Sequence, residues 1–151
     1  MANRLHSLAP LPLRLMMGVG FAVHGWPKVF STAGHQAFVG ALAGMGVPLP
    51  HGLAWLVGVL EVAGAAMLLL GAFVALISAA LLVEMLFALL LVHGPQGFSV
   101  IHITRVTSAG PQFGMPGYEF NLLYIAILAA LVLGGAGAWS LDRWRATTWW
   151  K

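Results

Sequence analysis

The chain has 151 residues, of which 60% are hydrophobic and 7% charged, against about a quarter charged in soluble domains. Its mean hydropathy is +0.92, so it lacks the polar residues from which a water-soluble surface is built. Seven Lys and Arg against four Asp and Glu are too few and too scattered for a nucleic-acid footprint, which excludes nucleic acid as a partner. Cysteine is absent, which removes disulfides, thiol redox motifs, iron–sulfur clusters and thiolate metal sites together. Any redox role must use a bound, non-covalent cofactor.

About 20 apolar residues are needed to cross roughly 30 Å of hydrocarbon as a helix. The first such window is 11–30, opened by Pro10 and Pro12 and disturbed near its far end by Pro27. It carries Arg14 and has no convincing cleavage site, so it reads as a retained helix and not a signal peptide. The next apolar region, 52–93, would measure roughly 60 Å as one helix. The chain must therefore turn inside it, and Gly71 after three leucines is the residue suited to a helix C-cap. That gives spans 52–70 and 72–93, followed by an outer loop 94–116 and a last span 117–137. The loop reads as two Gly-Pro-Gln turns flanking an extended stretch over 99–107, whose backbone must pair with something. The expected fold is all-α, a single domain over 1–151: an antiparallel bundle of four transmembrane helices.

Orientation follows from the positive charges. Arg4, Arg143, Arg145 and Lys151 lie at the chain ends and the long loops contribute Arg105, so both termini are expected in the cytoplasm. Trp26 and Trp55 fall at the outer interface, and Trp139, Trp144 and Trp149 at the inner one, as aromatic belts do.

The residues that carry information are polar ones within apolar spans, where a charge costs about 2.5 to 3.5 kcal/mol. These are Arg14, His24 and Lys28 in the first helix, Glu61 in the second, Glu84 and His93 in the third and Glu119 opening the fourth. Arg14, Gly18, Phe21, Gly25 and Lys28 share one helical stripe; Ala54, Gly58, Glu61, Ala65 and Leu68 share another. Small residues permit close helix approach, so these stripes are expected to face inward. On the same reasoning Ala80, Glu84 and Ala88, and Glu119, Leu123, Ala126 and Ala130, form the inward stripes of the other two helices. Arg14 is expected to extend toward Glu61 as an intramembrane pair. Antiparallel threading brings His24, Lys28, His93 and Glu119 to the outer half of the bundle, with Glu84 approaching from below. These five are the candidates for holding a ligand headgroup or relaying protons. No metal site is expected: di-iron bundles need Glu-x-x-His, and Glu61 is followed at that spacing by Gly64 and Glu84 by Phe87.

Three stretches resemble one known family. Leu13-Arg14 with Gly18, His24-Gly25 and Lys28-Val29-Phe30, then Gly58 with Glu61 and Gly64 running to Gly71, then Gly117-Tyr118-Glu119 through Gly135-Ala136-Gly137 to Ser140-Leu141-Asp142, are similar to the DoxX family of small bacterial membrane proteins. The resemblance implies a four-helix bundle with cytoplasmic ends in the bacterial inner membrane. It also implies a subunit of a membrane-associated, quinone-linked oxidoreductase complex, with a quinone as cofactor and other membrane or periplasmic subunits as partners beside the lipid bilayer. By that likeness Arg14, Lys28, Glu61 and Glu119 carry over, whereas Glu84 and the long outer loop depart from the pattern. Two other classes compete: a non-catalytic scaffold whose charges lock the helices in register, and a pathway for a small solute or ion.

Overall fold

The structure is a computed structural model and describes residues 7–148. Arg4, Trp149 and Lys151, on which part of the orientation reading rests, lie outside the described residues. The elements run α1 (Pro10–Phe30), α2 (Thr32–Gly44), α3 (Pro50–Leu70) and α4 (Val74–Ala88), which continues through a π turn (Leu89–His93) and a 3-10 turn (Gly94–Gln96). A hairpin of β1 (Ile103–Thr107) and β2 (Gly110–Phe113) follows, then α5 (Glu119–Gly134) and α6 (Leu141–Thr148). Among the described residues α3 and the run Val74–Gln96 are long and apolar enough to cross a membrane, and α5 is a shorter apolar helix.

Packing of α1 on α3 is the most extensive contact between elements, and glycine makes it possible. A Cβ on Gly18 would meet Leu69 and the Ala65 carbonyl, one on Gly25 would meet Glu61 and Val62, and one on Gly58 would meet Lys28 and Val29. Rising positions in α1 thus meet falling positions in α3, so the two are antiparallel. The reversal from α3 to α4 falls at Gly71, whose φ of +69° is the left-handed conformation that terminates a helix. Gly64 then lies against Ile77 and Leu81 of α4. Leu128 and Leu131 of α5 close the core with Met17, Phe21, Leu68, Val74 and Leu81.

Two inward stripes fall where the spacing put them: Arg14, Gly18, Phe21 and Gly25 are buried in α1, and Ala54, Gly58, Glu61, Ala65 and Leu68 in α3. In α4 Glu84 and Ala88 of the expected stripe line the cavity described below, while the fully buried residues are Val74, Ile77, Ser78 and Leu81. The α5 stripe needs correction: its buried residues are Asn121, Leu128 and Leu131, while Glu119, Leu123, Ala126 and Ala130 are exposed. Both helices are apolar nearly all round, so small residues there mark no unique face.

Between the first two expected spans, where no helix was expected, the chain forms α2. Ser31 is the hinge: it ends α1 with its N–H on the Pro27 carbonyl at 3.2 Å, and its Oγ accepts from Gly34 N at 3.2 Å to cap α2. His35 then donates from Nδ1 to the Lys28 carbonyl at 2.9 Å, strapping α2 back along α1.

The extended stretch in the outer loop pairs with its own chain. The second Gly-Pro-Gln stretch, expected as a turn, is β2, antiparallel to β1 with Thr107 opposite Gly110 and Ile103 opposite Phe113. An irregularity between Ile103 and Arg105 breaks the simple alternation of faces expected over 99–107.

Candidate functional site

Arg14 does not reach Glu61. It is fully buried (0% exposed) at the Gly71 end of the bundle, where Nη2 donates to the Trp139 carbonyl at 3.0 Å and the Ala138 carbonyl at 3.5 Å. A Cβ on Gly71 would collide with its guanidinium, so this turn has room for Arg14 only because residue 71 is glycine. The same end is clasped by Asp142, whose two oxygens accept from Phe73 N at 2.7 Å and Val74 N at 2.9 Å. Those are orphan donors at the start of α4, and a carboxylate suits that end of the helix dipole. Phe73 and Trp139 both hold the left-handed conformation, φ +50° and +55°, which is costly for bulky residues. Asp142 holds the first and Arg14 the second.

Glu61 pairs instead with Lys28. Nζ to Oε2 is 2.5 Å, and Glu61 is 3% exposed. The ammonium also sits 4.4 Å from the centroid of Phe38 on α2, so an aromatic face covers the pair. Glu84 lies against Glu61 and feels the charges of both Glu61 and Lys28. Its Oε2 is buried with no hydrogen-bond partner.

These three groups border a half-open cavity of about 540 Å³ lined by α1, α2, α3, α4 and α5. His24 and His93 line it as well, so the structure brings together His24, Lys28, Glu61, Glu84 and His93. His93 donates from Nδ1 to the Pro116 carbonyl at 2.9 Å, tying the end of α4 to the start of α5. Glu119 is not in this group. It is exposed at the α5 N-terminus, where Oε2 accepts from Val100 N at 3.2 Å and steadies the outer loop.

Asn121 and Tyr124 line the cavity and were not singled out from sequence. Asn121 is 6% exposed, and an amide inside an apolar span is itself the signal that could have found it. Tyr124 packs edge-on against Phe21 at 5.7 Å, with its hydroxyl against Gly20. The floor is apolar, formed by Met16, Met17, Met85 and Ile127. The cavity is thus polar toward the His93 end and oily below it, a shape suited to a ring bearing polar substituents. Among the described residues no cluster of three or more His, Cys, Asp or Glu could hold a metal ion.

No curated protein and no solved structure matches the chain. A family model for DoxX does, over residues 9–94, more than half of the 151 residues. That stretch contains α1 through α4, hence the Lys28–Glu61 pair, Glu84 and the Gly71 turn. Taken with the apolar helices, this match establishes that the chain belongs to the DoxX family and is a small membrane protein.

Proposed function

We propose that the chain is a multi-pass protein of the bacterial inner membrane that works as a DoxX-type subunit of a membrane-associated oxidoreductase assembly, its cavity holding the headgroup of a quinone. In this reading α1, α3, α4 and α5 each cross the bilayer, both chain ends are cytoplasmic, and the partners are other membrane or periplasmic subunits. The observation that carries it is the cavity: imidazole, amide, phenol and carboxyl groups above an apolar floor, between helices that lipid would surround.

A scaffold reading is favoured by one observation, the covered Lys28–Glu61 pair, which locks α1 to α3 whether or not anything binds. It accounts for those two residues. It leaves His24, Glu84, His93 and Asn121 around an open volume without a purpose.

Purified protein in detergent should retain quinone extractable with organic solvent, and added short-chain quinone should raise its melting temperature. At a hundredfold excess over Kd the gain is about 2.7 kcal/mol. His24→Gln should weaken binding with the ligand-free melting temperature unchanged, because His24 lines the cavity yet is exposed and outside the packed core. Glu119→Gln, outside the cavity, should bind as the unmodified protein does. Absence of both native and added quinone from folded protein overturns the reading.

A further inference from the structure

The cavity's polar groups differ in what they leave open. Lys28, the cationic donor, is engaged by Glu61 Oε2 and covered by Phe38. The Pro116 carbonyl that faces His93 Nδ1 at 2.9 Å can only accept, so Nδ1 carries the hydrogen and Nε2 of the neutral ring is left as an acceptor. Glu84 Oε2 is buried and unpartnered. A carboxylate oxygen accepts, and a carboxyl sharing a proton with Glu61 through its other oxygen still accepts at Oε2. Asn121 and Tyr124 can both donate and accept, so they adapt to either kind of ligand. His93 Nε2 and Glu84 Oε2 are therefore acceptors that no group of the protein fills, while Lys28 has given one of its three N–H groups to Glu61 and lies against Phe38.

We infer that the cavity is built for a ring that donates hydrogen bonds, a quinol in preference to a quinone, with Glu84 Oε2 accepting from one ring hydroxyl. This rests on the quinone reading above and narrows it to one oxidation state. A quinone presents only carbonyl acceptors, and an acceptor set against Glu84 Oε2 leaves both groups unpaired in a buried site, which is the costly arrangement. An organic ammonium would also satisfy Glu84. It would place a second positive charge beside Lys28, whose charge Glu84 already feels, and a neutral hydroxyl avoids that repulsion. Phe21, Phe87 and Phe120 supply the aromatic walls that a flat ring needs.

The test titrates a short-chain benzoquinol and the matching benzoquinone, each without oxygen, into the purified full chain and follows quenching of tryptophan fluorescence. The quinol should bind about tenfold more tightly, the worth of one unpaired buried group. Glu84→Met should remove the preference, and Glu84→Gln, which offers an amide donor as well as an acceptor, should narrow it. Should Glu84→Met fail to fold, the Glu84→Gln ratio and the ratio in the unmodified protein decide the matter. Equal binding, or preference for the quinone, overturns the inference and leaves the quinone reading standing. Binding of neither form overturns both. A long-chain alkylammonium that binds more tightly than the quinol, and is lost in Glu84→Gln, makes this a cation site and also overturns the inference.

Discussion

Arg14 and Lys28 lie on one stripe of α1, yet only Lys28 meets Glu61, and the reason is depth. Gly25 is the α1 residue level with Glu61, so Arg14 stands eleven positions away, roughly 16 Å along the axis. Lys28 is less than one turn from that level, and its flexible stem covers the difference. Spacing shows which way a side chain faces. It does not show its height relative to a neighbouring helix, because that depends on how deep each helix sits, and an error of one or two turns exchanges partners. Asp142 was equally illegible as the cap of α4, since the contact joins residues 68 and 69 positions apart. The expected outcome for the pair is specific. Lys28→Met or Glu61→Leu alone strands a buried charge and should destabilise by about 3 to 5 kcal/mol, with the double variant milder than either. Arg14→Met combined with Glu61→Leu should instead be additive, as for sites that share no partner. Melting curves of the five variants in one detergent check both statements. A coupled Arg14 and Glu61 would contradict the observed geometry.

At the scale of elements, α1 and α3 were legible in detail because each mixes glycine or charge with apolar residues, which marks a face. In α4 and α5 large apolar residues lie on every side and only Ser78, Glu84 and Asn121 mark the interior, so most of the inward side is decided by neighbours and not by composition. α2 escaped because a search for spans of about 20 residues passes over a helix of 13. Its signals, Ser31 as cap and the alanine-rich run after it, are local and ordinary. The hairpin was half legible: Gly-Pro-Gln at 110–112 carries turn chemistry, yet proline is tolerated in a strand at an edge, and both strands of a two-stranded sheet are edges. Glycines separate the elements by what surrounds them. At Gly25 an added Cβ would lie 2.8 Å from Glu61 Cβ and 3.0 Å from Val62 N, so α1 and α3 must move apart. Gly25→Ala should cost about 1 to 3 kcal/mol, as overpacking does. At Gly40 nothing lies within 4 Å, and Gly40→Ala in α2 should be neutral or stabilising by up to about 1 kcal/mol from helix propensity. Thermal denaturation of the two single variants separates tight packing from mere glycine content. Equal destabilisation would mean that α2 is packed against something at Gly40.

For the whole molecule, the bundle has two unlike ends. Arg14, Arg143 and Arg145 gather at the Gly71 end, with Trp139 and Trp144 both well exposed there. Arg145 stacks over Phe73 at 4.7 Å, so α6 lies across the α3–α4 turn. The opposite end carries Arg105 in the hairpin, Trp26 and Trp55 beside α2, and the part of the cavity lined by His93 and Pro116. Basic residues near short segments remain on the cytoplasmic side, and exposed tryptophans at two levels mark two interfaces. The Gly71 end is therefore expected inside and the hairpin outside, with four crossings between them. Among these α5 is the weakest candidate. Its 16 residues measure about 24 Å against roughly 30 Å of hydrocarbon, a mismatch that local thinning of the bilayer accommodates at modest cost. A reporter inserted at Ala109, in the turn between the two strands, should read periplasmic, and one fused at the C-terminus should read cytoplasmic. Those two results fix α5 as a crossing, since it is the apolar helix between them. If both reporters fall on one side, α5 does not cross. The cavity would then lose the wall that Asn121 and Tyr124 supply inside the bilayer, and the site would have to be read as a surface groove. If the sides are exchanged, the four crossings stand and the His93 end of the cavity lies toward the cytoplasm, so a redox partner would have to dock there.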